Sequence, residues 1–162
     1  MGTRFERRSR GTDWLGLFSI GFFIILLGAI WVMTPAALTD EVTSVFKSTS
    51  WHLRPLIGNA SLPEPTRTFP TIYTAASQFC FIFGFFQTVI LILRFALHDL
   101  LDKKADAASG MGFWLSAGYF LYLLASQSIS WFAFLAGIII AIGIAIIASS
   151  IVRFFRNTPY FR

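Results

Sequence analysis

The chain has 162 residues and a formal net charge of +5, and 56% of its residues are hydrophobic. Three long stretches contain no Asp, Glu, Lys, Arg or His: residues 14–39, 68–93 and 107–152. Because ~20 apolar residues cross a bilayer as a helix, this pattern predicts an integral membrane protein and excludes an ordinary soluble domain. The basic residues flank the apolar stretches without forming a recognition motif, so we expect no nucleic-acid partner.

The first predicted transmembrane helix, residues 14–35, follows a basic tail at residues 1–13. Its apolar stretch is longer than the ~7–15 residues of a signal-peptide core, so we interpret it as an uncleaved helix. Trp14 and Trp31 lie near its two ends, and aromatic residues are enriched where a span meets the membrane interfaces. Both features favour a helix that stays in the membrane.

Residues 36–70 form the predicted external loop. Asp40 and Glu41 are favourable at the start of a helix, and an apolar stripe follows them at Val42, Val45, Phe46 and Leu53. This stripe predicts a short amphipathic helix on the outer membrane interface. Prolines from Pro55 onward favour an extended return to the next span, and Asn59 lies in a glycosylation sequon. The loop is either a docking surface or a cover over the spans.

The remaining predicted elements are a second span at 71–97, a cytoplasmic loop at 98–111, a third span at 112–127, a fourth span at 131–153 and a tail at 154–162. At ~1.5 Å per residue, a single helix over 107–152 would be about twice as long as the bilayer core is thick. We therefore place a break at residues 126–130, where hydroxyl and amide groups compete with helical hydrogen bonds. The fold class is an all-α, four-transmembrane-helix bundle.

The distribution of basic residues predicts the orientation, because Lys and Arg are retained on the cytoplasmic side. Of the 13 Lys and Arg residues, four lie in residues 1–13, three in residues 94–104 and three in residues 153–162. The other three lie between the first two spans. Both termini are therefore expected in the cytoplasm, in a multi-pass protein that we assign to the plasma membrane.

Small residues recur every four positions along two of the spans: Ala76, Cys80, Gly84 and Thr88 along the second, and Ala133, Gly137, Ala141, Ala145 and Ser149 along the fourth. Helices associate in lipid through close van der Waals contact, which such small-residue ridges permit. The two ridges either pack the four spans against each other or dock a separate subunit, and the sequence alone leaves both alternatives open.

Polar residues are sparse within the spans. Ser116, Tyr119 and Ser126 fall on one face of the third span, where they form either a structural seam or the wall of a solute path. Gln78 and Gln87 fall on opposite faces of the second span and cannot line one path. We expect no buried charge in the four spans.

No catalytic, cofactor-binding or metal-ligating constellation appears in the sequence, so an enzyme is not expected. We expect the chain to contact membrane lipids and other integral membrane subunits. The leading hypothesis is a small accessory or scaffolding subunit of a larger membrane complex, which packs through its small-residue helix faces. The alternatives are a homo-oligomeric channel or carrier for a small solute, and a lipid-binding membrane protein.

Overall fold

The computed structural model describes residues 14–46, 51–55, 61–65, 68–97 and 100–154. These residues form five helices and one two-stranded hairpin. In chain order the elements are α1 (Trp14–Met33), α2 (Pro35–Phe46), β1 (Trp51–Pro55), β2 (Ser61–Pro65), α3 (Pro70–Ala96), α4 (Leu101–Ala125) and α5 (Trp131–Phe154).

Four of the helices, α1, α3, α4 and α5, are long and apolar enough to cross a membrane. They contain 20 to 27 residues, and at ~1.5 Å per residue they match or exceed the ~30 Å hydrocarbon core of a bilayer. The described residues therefore contain four candidate membrane spans, as predicted, and these suggest a multi-pass membrane protein.

The four spans form a row rather than a bundle closed by its first and last helices. Among the described residues, the principal contacts between spans join α1 to α3, α3 to α4 and α4 to α5. Leu15 of α1 packs in a buried cluster with Ile90 of α3 and Ala107 of α4. Arg153 of α5 lies 3.9 Å from Asp106 of α4. The start of α1 and the end of α5 therefore lie at the same end of the row.

Helix α4 begins at Leu101, well before the predicted start of the third span at Gly112. The prediction of a loop over residues 98–111 is therefore wrong from Leu101 onward, where the chain is helical. The glycines there are packing residues instead. A Cβ atom at Gly110 would lie 3.7 Å from Gln87 of α3, and one at Gly112 would lie 3.5 Å from Ala148 of α5.

The predicted break between the third and fourth spans is confirmed. Helix α4 ends at Ala125, and Gln127 follows with a positive φ of 56°. The backbone N–H of Ser128 bonds to the Leu123 carbonyl, and that of Gln127 bonds to the Leu124 carbonyl. These are the two hydrogen bonds of a Schellman motif, with Gln127 at the left-handed position. The Ser130 hydroxyl then accepts a bond from the Ala133 N–H and caps α5.

The external segment differs from its prediction in two respects. Helix α2 begins at Pro35, where a proline is compatible with the first helical turn, so Asp40 and Glu41 lie in its middle rather than at its start. The helix ends at Phe46, and Leu53 lies in β1, so the predicted helical stripe does not extend to Leu53. Prolines exclude helix in this region but are compatible with the edge strands of an antiparallel hairpin, which β1 and β2 form.

Candidate interaction surfaces

The ridge of small residues on α3 lies in the interface with α4. Cys80 and Gly84 are buried, and a Cβ atom at Gly84 would lie 2.7 Å from Leu115 Cδ2. A Cβ atom at Gly118 of α4 would lie 3.0 Å from Cys80 Cβ. The Thr88 hydroxyl donates to the Gly84 carbonyl within α3, and Ala76 at the other end of the ridge is half-buried. The ridge therefore joins two helices of this chain.

The ridge on α5 packs against the opposite side of α4. A Cβ atom at Gly137 would lie 2.5 Å from Phe120 Cδ1, and Ala141 is completely buried. Ala145 is also buried and faces Gly112. The ends of the ridge are less covered: Ala133 is exposed, and Ser149 bonds to the Ile146 carbonyl of its own helix. Of the two alternatives for the ridges, internal packing is the one that the contacts support.

Three other glycines face outward. Nothing lies within 4 Å of a Cβ atom built at Gly21, Gly28 or Gly143. Gly21 and Gly28 are seven residues apart on α1 and share one helical face. The large side chains around them on that face are exposed: Trp14, Leu17, Phe18, Ile24, Ile25 and Val32. Gly143 lies on the outward face of α5, among exposed isoleucines such as Ile139 and Ile146. Gly21, Gly28 and Gly143 thus lie on surfaces that the described part of the chain leaves uncovered.

Aromatic rings attach α1 to the rest of the chain. The rings of Phe22 and Phe86 are stacked with centroids 4.0 Å apart. Phe23 meets Phe83 edge-on at 5.3 Å and reaches Trp114 of α4 at 6.2 Å. The small-residue pattern of α3 did not predict this aromatic interface. The phenylalanines of α3 fall on all sides of the helix, so their positions in the sequence do not mark one contact face.

The seam predicted on α4 faces away from α1. Tyr119 is 53% exposed and Ser116 is half-buried, whereas Trp114 on the other side of the helix contacts α1. The Ser126 hydroxyl bonds to the Leu123 carbonyl and to Ser128. Ser126 thus belongs to the turn that ends α4, and its hydroxyl is already engaged within the chain.

Helix α2 covers the start of α3. Val42, Val45 and Phe46 of the predicted stripe line an open apolar hollow of about 280 Å³. The other lining residues are Phe69, Ile72, Tyr73 and Trp131. The Glu41 carboxylate of α2 accepts hydrogen bonds from the backbone N–H groups of Thr71 and Ile72. It thus occupies the N-terminus of α3, where a negative charge is favourable.

A second groove, of about 320 Å³, lies beside the first turns of α3, near the end of α1. Its lining is partly polar and comprises Thr34, Pro70, Thr71, Thr74, Ala75 and Gln78. Thr71, Thr74 and Gln78 share one face of α3, since their spacings of three and four follow the helical period. The sequence predicts Gln78 and Gln87 on opposite faces of α3. That prediction did not include Thr71 and Thr74, which share the face of Gln78.

Two cations are buried at the other end of the row, contrary to the expectation of spans without buried charge. Arg94, in the last turn of α3, is 7% exposed, and Lys104, in the first turn of α4, is 8% exposed. The Lys104 ammonium lies 4.7 Å from the centroid of the Phe95 ring, a cation–π contact that partly compensates its removal from water. Both lie close to helix ends, where sequence reasoning assumed exposure.

Among the described residues there is no group of His, Cys, Asp and Glu that could hold a metal ion. His98 and Asn59 lie outside the described residues, and nothing is described of the His52 side chain. No family model, no curated protein and no solved structure matches the chain. The surfaces described above are therefore the basis from which we infer a function.

Proposed function

We propose that the chain is a small accessory or scaffolding subunit of a larger membrane complex, and that the outward glycine faces of α1 and α5 dock helices of other integral membrane subunits. The observation that carries the proposal is the contrast between two sets of glycines. Gly84, Gly118 and Gly137 are required by close contacts within the chain, whereas Gly21, Gly28 and Gly143 have no such neighbour.

A glycine inside a helix is about 1 kcal/mol less favourable than alanine when nothing approaches it. Gly21 and Gly28 give no packing benefit within the chain to offset that cost. Their seven-residue spacing is that of a helix–helix seam, and small residues permit the close backbone approach by which membrane helices associate. A partner helix on this face would supply the missing contacts.

The position of α1 in the row also supports the proposal. Helix α1 packs mainly on α3, and many of its large side chains are exposed, with Ile25 at 70% and Val32 at 75%. As an outer member of the row, it has a complete face available to another subunit. Helix α5 offers the equivalent face at the other edge.

The test is native mass spectrometry of the tagged chain, extracted gently from its own membrane. The wild type should carry partner proteins of different mass at fixed ratio, and Gly21→Leu/Gly28→Leu should lose those that dock on α1. Ala29→Leu is the control, because it also introduces a leucine, at an exposed position turned by about 100° from Gly28. Gly143→Leu tests the α5 face separately.

Two results would overturn the accessory role. One is a complex made only of copies of this chain, which would indicate a channel or carrier instead. The other is a heteromeric complex that survives Gly21→Leu/Gly28→Leu and Gly143→Leu unchanged. Since no Cβ contact exists at these positions and leucine has a higher helix propensity than glycine, the isolated variants should be at least as thermally stable as the wild type.

The proposal extends to orientation, with both termini in the cytoplasm of a plasma-membrane protein. Support comes from the even number of spans and from the basic residues near the end where α1 starts and α5 finishes. An epitope tag at either terminus should become accessible to antibody only after the cell membrane is permeabilised. A tag detected on intact cells would reject this orientation.

A further inference from the structure

We propose that the groove beside α3 is a binding site for a glycerolipid, in which Thr74 and Gln78 donate hydrogen bonds to the glycerol region and the acyl chains follow α3 toward the membrane centre. This site is independent of the proposed docking faces, since it lies near the junction of α1 and α3 and not on the outward glycines.

The first argument is the depth of the groove. Helix α3 has 27 residues and is about 40 Å long, against a hydrocarbon core of ~30 Å. If the excess is shared between its ends, about 5 Å of the helix projects on each side. Thr71 then lies at headgroup level and Thr74 at the hydrocarbon boundary, whereas Gln78, about 12 Å along the axis from Pro70, lies about 7 Å inside it. Because side chains on a helix point toward its N-terminus, the Gln78 carboxamide reaches back toward this boundary, where the glycerol backbone of a bilayer lipid lies.

The second argument is the unused hydrogen-bonding capacity of the groove. Gln78 is exposed, and its carboxamide makes no hydrogen bond to any described residue. A carboxamide offers two donors and an acceptor, and leaving such a group without a partner in an apolar medium costs free energy. Thr74 is exposed on the same face, and its hydroxyl makes no hydrogen bond within the described part of the chain. The groove therefore offers hydrogen-bonding groups to a polar occupant.

The third argument is how the face changes along the helix. Below Gln78 the same face of α3 is apolar and exposed, with Ile82, Phe85 and Val89 in succession. A face that is polar at the membrane surface and apolar deeper matches one lipid molecule lying along the helix. None of the described residues that line the groove is charged, so we take the recognised group to be an uncharged oxygen acceptor rather than a phosphate.

The experiment measures lipid retained on the full-length chain by native mass spectrometry, after extraction in mild detergent and addition of defined lipids. The test variant is Thr74→Val/Gln78→Leu. The matched control is Gln87→Leu, which makes the same glutamine change on the opposite side of α3. Each hydrogen bond in a membrane contributes about a threefold factor in affinity, so loss of two bonds should lower the lipid retained by the test variant about tenfold. The control should retain as much lipid as the wild type.

Three lipids probe the chemistry: an ester-linked phosphatidylcholine, its ether-linked analogue and an anionic phosphatidylglycerol. If the ester-linked lipid is retained more strongly than its ether-linked analogue, the ester carbonyl is the hydrogen-bond acceptor. If the two lipids are retained equally, the acceptors are the glycerol oxygens that both lipids share. The headgroup charge should change retention little. Thr74→Ser, which keeps the hydroxyl, should retain lipid and so separates loss of binding from loss of folding.

The proposal is overturned if Thr74→Val/Gln78→Leu and its matched control retain equal amounts of lipid. It is also overturned if retention follows headgroup charge alone, or if the test variant loses a protein partner while its lipid is unchanged. The last outcome would show that the groove holds a helix of another subunit. If instead Gly21→Leu/Gly28→Leu kept all its protein partners, the docking role of that face would be rejected, and the proposed lipid site would be unaffected.

Discussion

The Glu41 carboxylate of α2 accepts a hydrogen bond from the backbone N–H of Ile72 at 2.9 Å, across 31 residues of sequence. A second bond, from the Thr71 N–H, is 3.3 Å long. Helix α3 has no side-chain cap of its own, since Phe69 occupies the N-cap position. A residue of the external helix thus satisfies backbone donors that a helix terminus otherwise leaves unpaired.

Replacing Glu41 with Ala should lower the free energy of unfolding by about 1 kcal/mol, the usual effect of losing a helix N-cap. Thermal unfolding in detergent, followed by circular dichroism, measures the change. Asp40→Ala is the control, because Asp40 is exposed on the same helix and substitutions at such positions change stability by less than about 0.5 kcal/mol. Equal effects of the two substitutions would mean that Glu41 does not stabilise α3.

Two glycines of α5 should respond in opposite directions to the same substitution. Gly137→Ala places a methyl group 2.5 Å from the Phe120 ring, and overpacking of this kind costs about 1–3 kcal/mol. Gly143→Ala meets nothing within 4 Å and should stabilise the isolated chain by up to about 1 kcal/mol through helix propensity.

The measurement for this pair is thermal unfolding of the two single variants beside the wild type. A destabilised Gly137→Ala and an unchanged or stabilised Gly143→Ala would support the assignment of the α5 ridge to the α4 interface. If both variants were equally stable, the α5 ridge would not pack against Phe120 as described.

Gln127→Gly should stabilise the turn between α4 and α5. Gln127 has a φ of 56°, a conformation that costs a residue with a Cβ atom about 1 kcal/mol relative to glycine. Gln127→Ala keeps the Cβ atom and should leave the melting temperature unchanged, so it is the control. A Gly variant that is no more stable than the Ala variant would exclude strain at this position.

The number of spans and the break near residue 127 were predictable, because the length of an apolar stretch and the bilayer thickness together limit the alternatives. The four-residue periods of Cys80, Gly84, Gly137 and Ala141 correctly marked close-packing faces. The periods did not show which helix each face contacts. Both ridges face α4, which contributes the large side chains of Leu115 and Phe120 to these contacts.

The remaining features depend on contacts between distant parts of the chain. Gly110 and Gly112 resemble a turn in the sequence, and only their proximity to Gln87 and Ala148 explains them as packing residues. The burial of Arg94 and Lys104 likewise requires knowing that α4 begins at Leu101. For the lipid groove a local signal existed, because Thr71, Thr74 and Gln78 recur with helical spacing, but their common exposure becomes evident only in the folded chain.

The aromatic attachment of α1 has a consequence for biosynthesis. The rings that hold Phe22 and Phe23 lie on α3 and α4, and α3 begins only at Pro70. These rings lie about 60 residues or more further along the chain, so α1 leaves the ribosome before they do. Helix α1 must therefore reside in lipid, or against the insertion machinery, with its aromatic face uncovered until the rest of the row follows. A partner subunit present at that stage would meet α1 before the chain's own helices do.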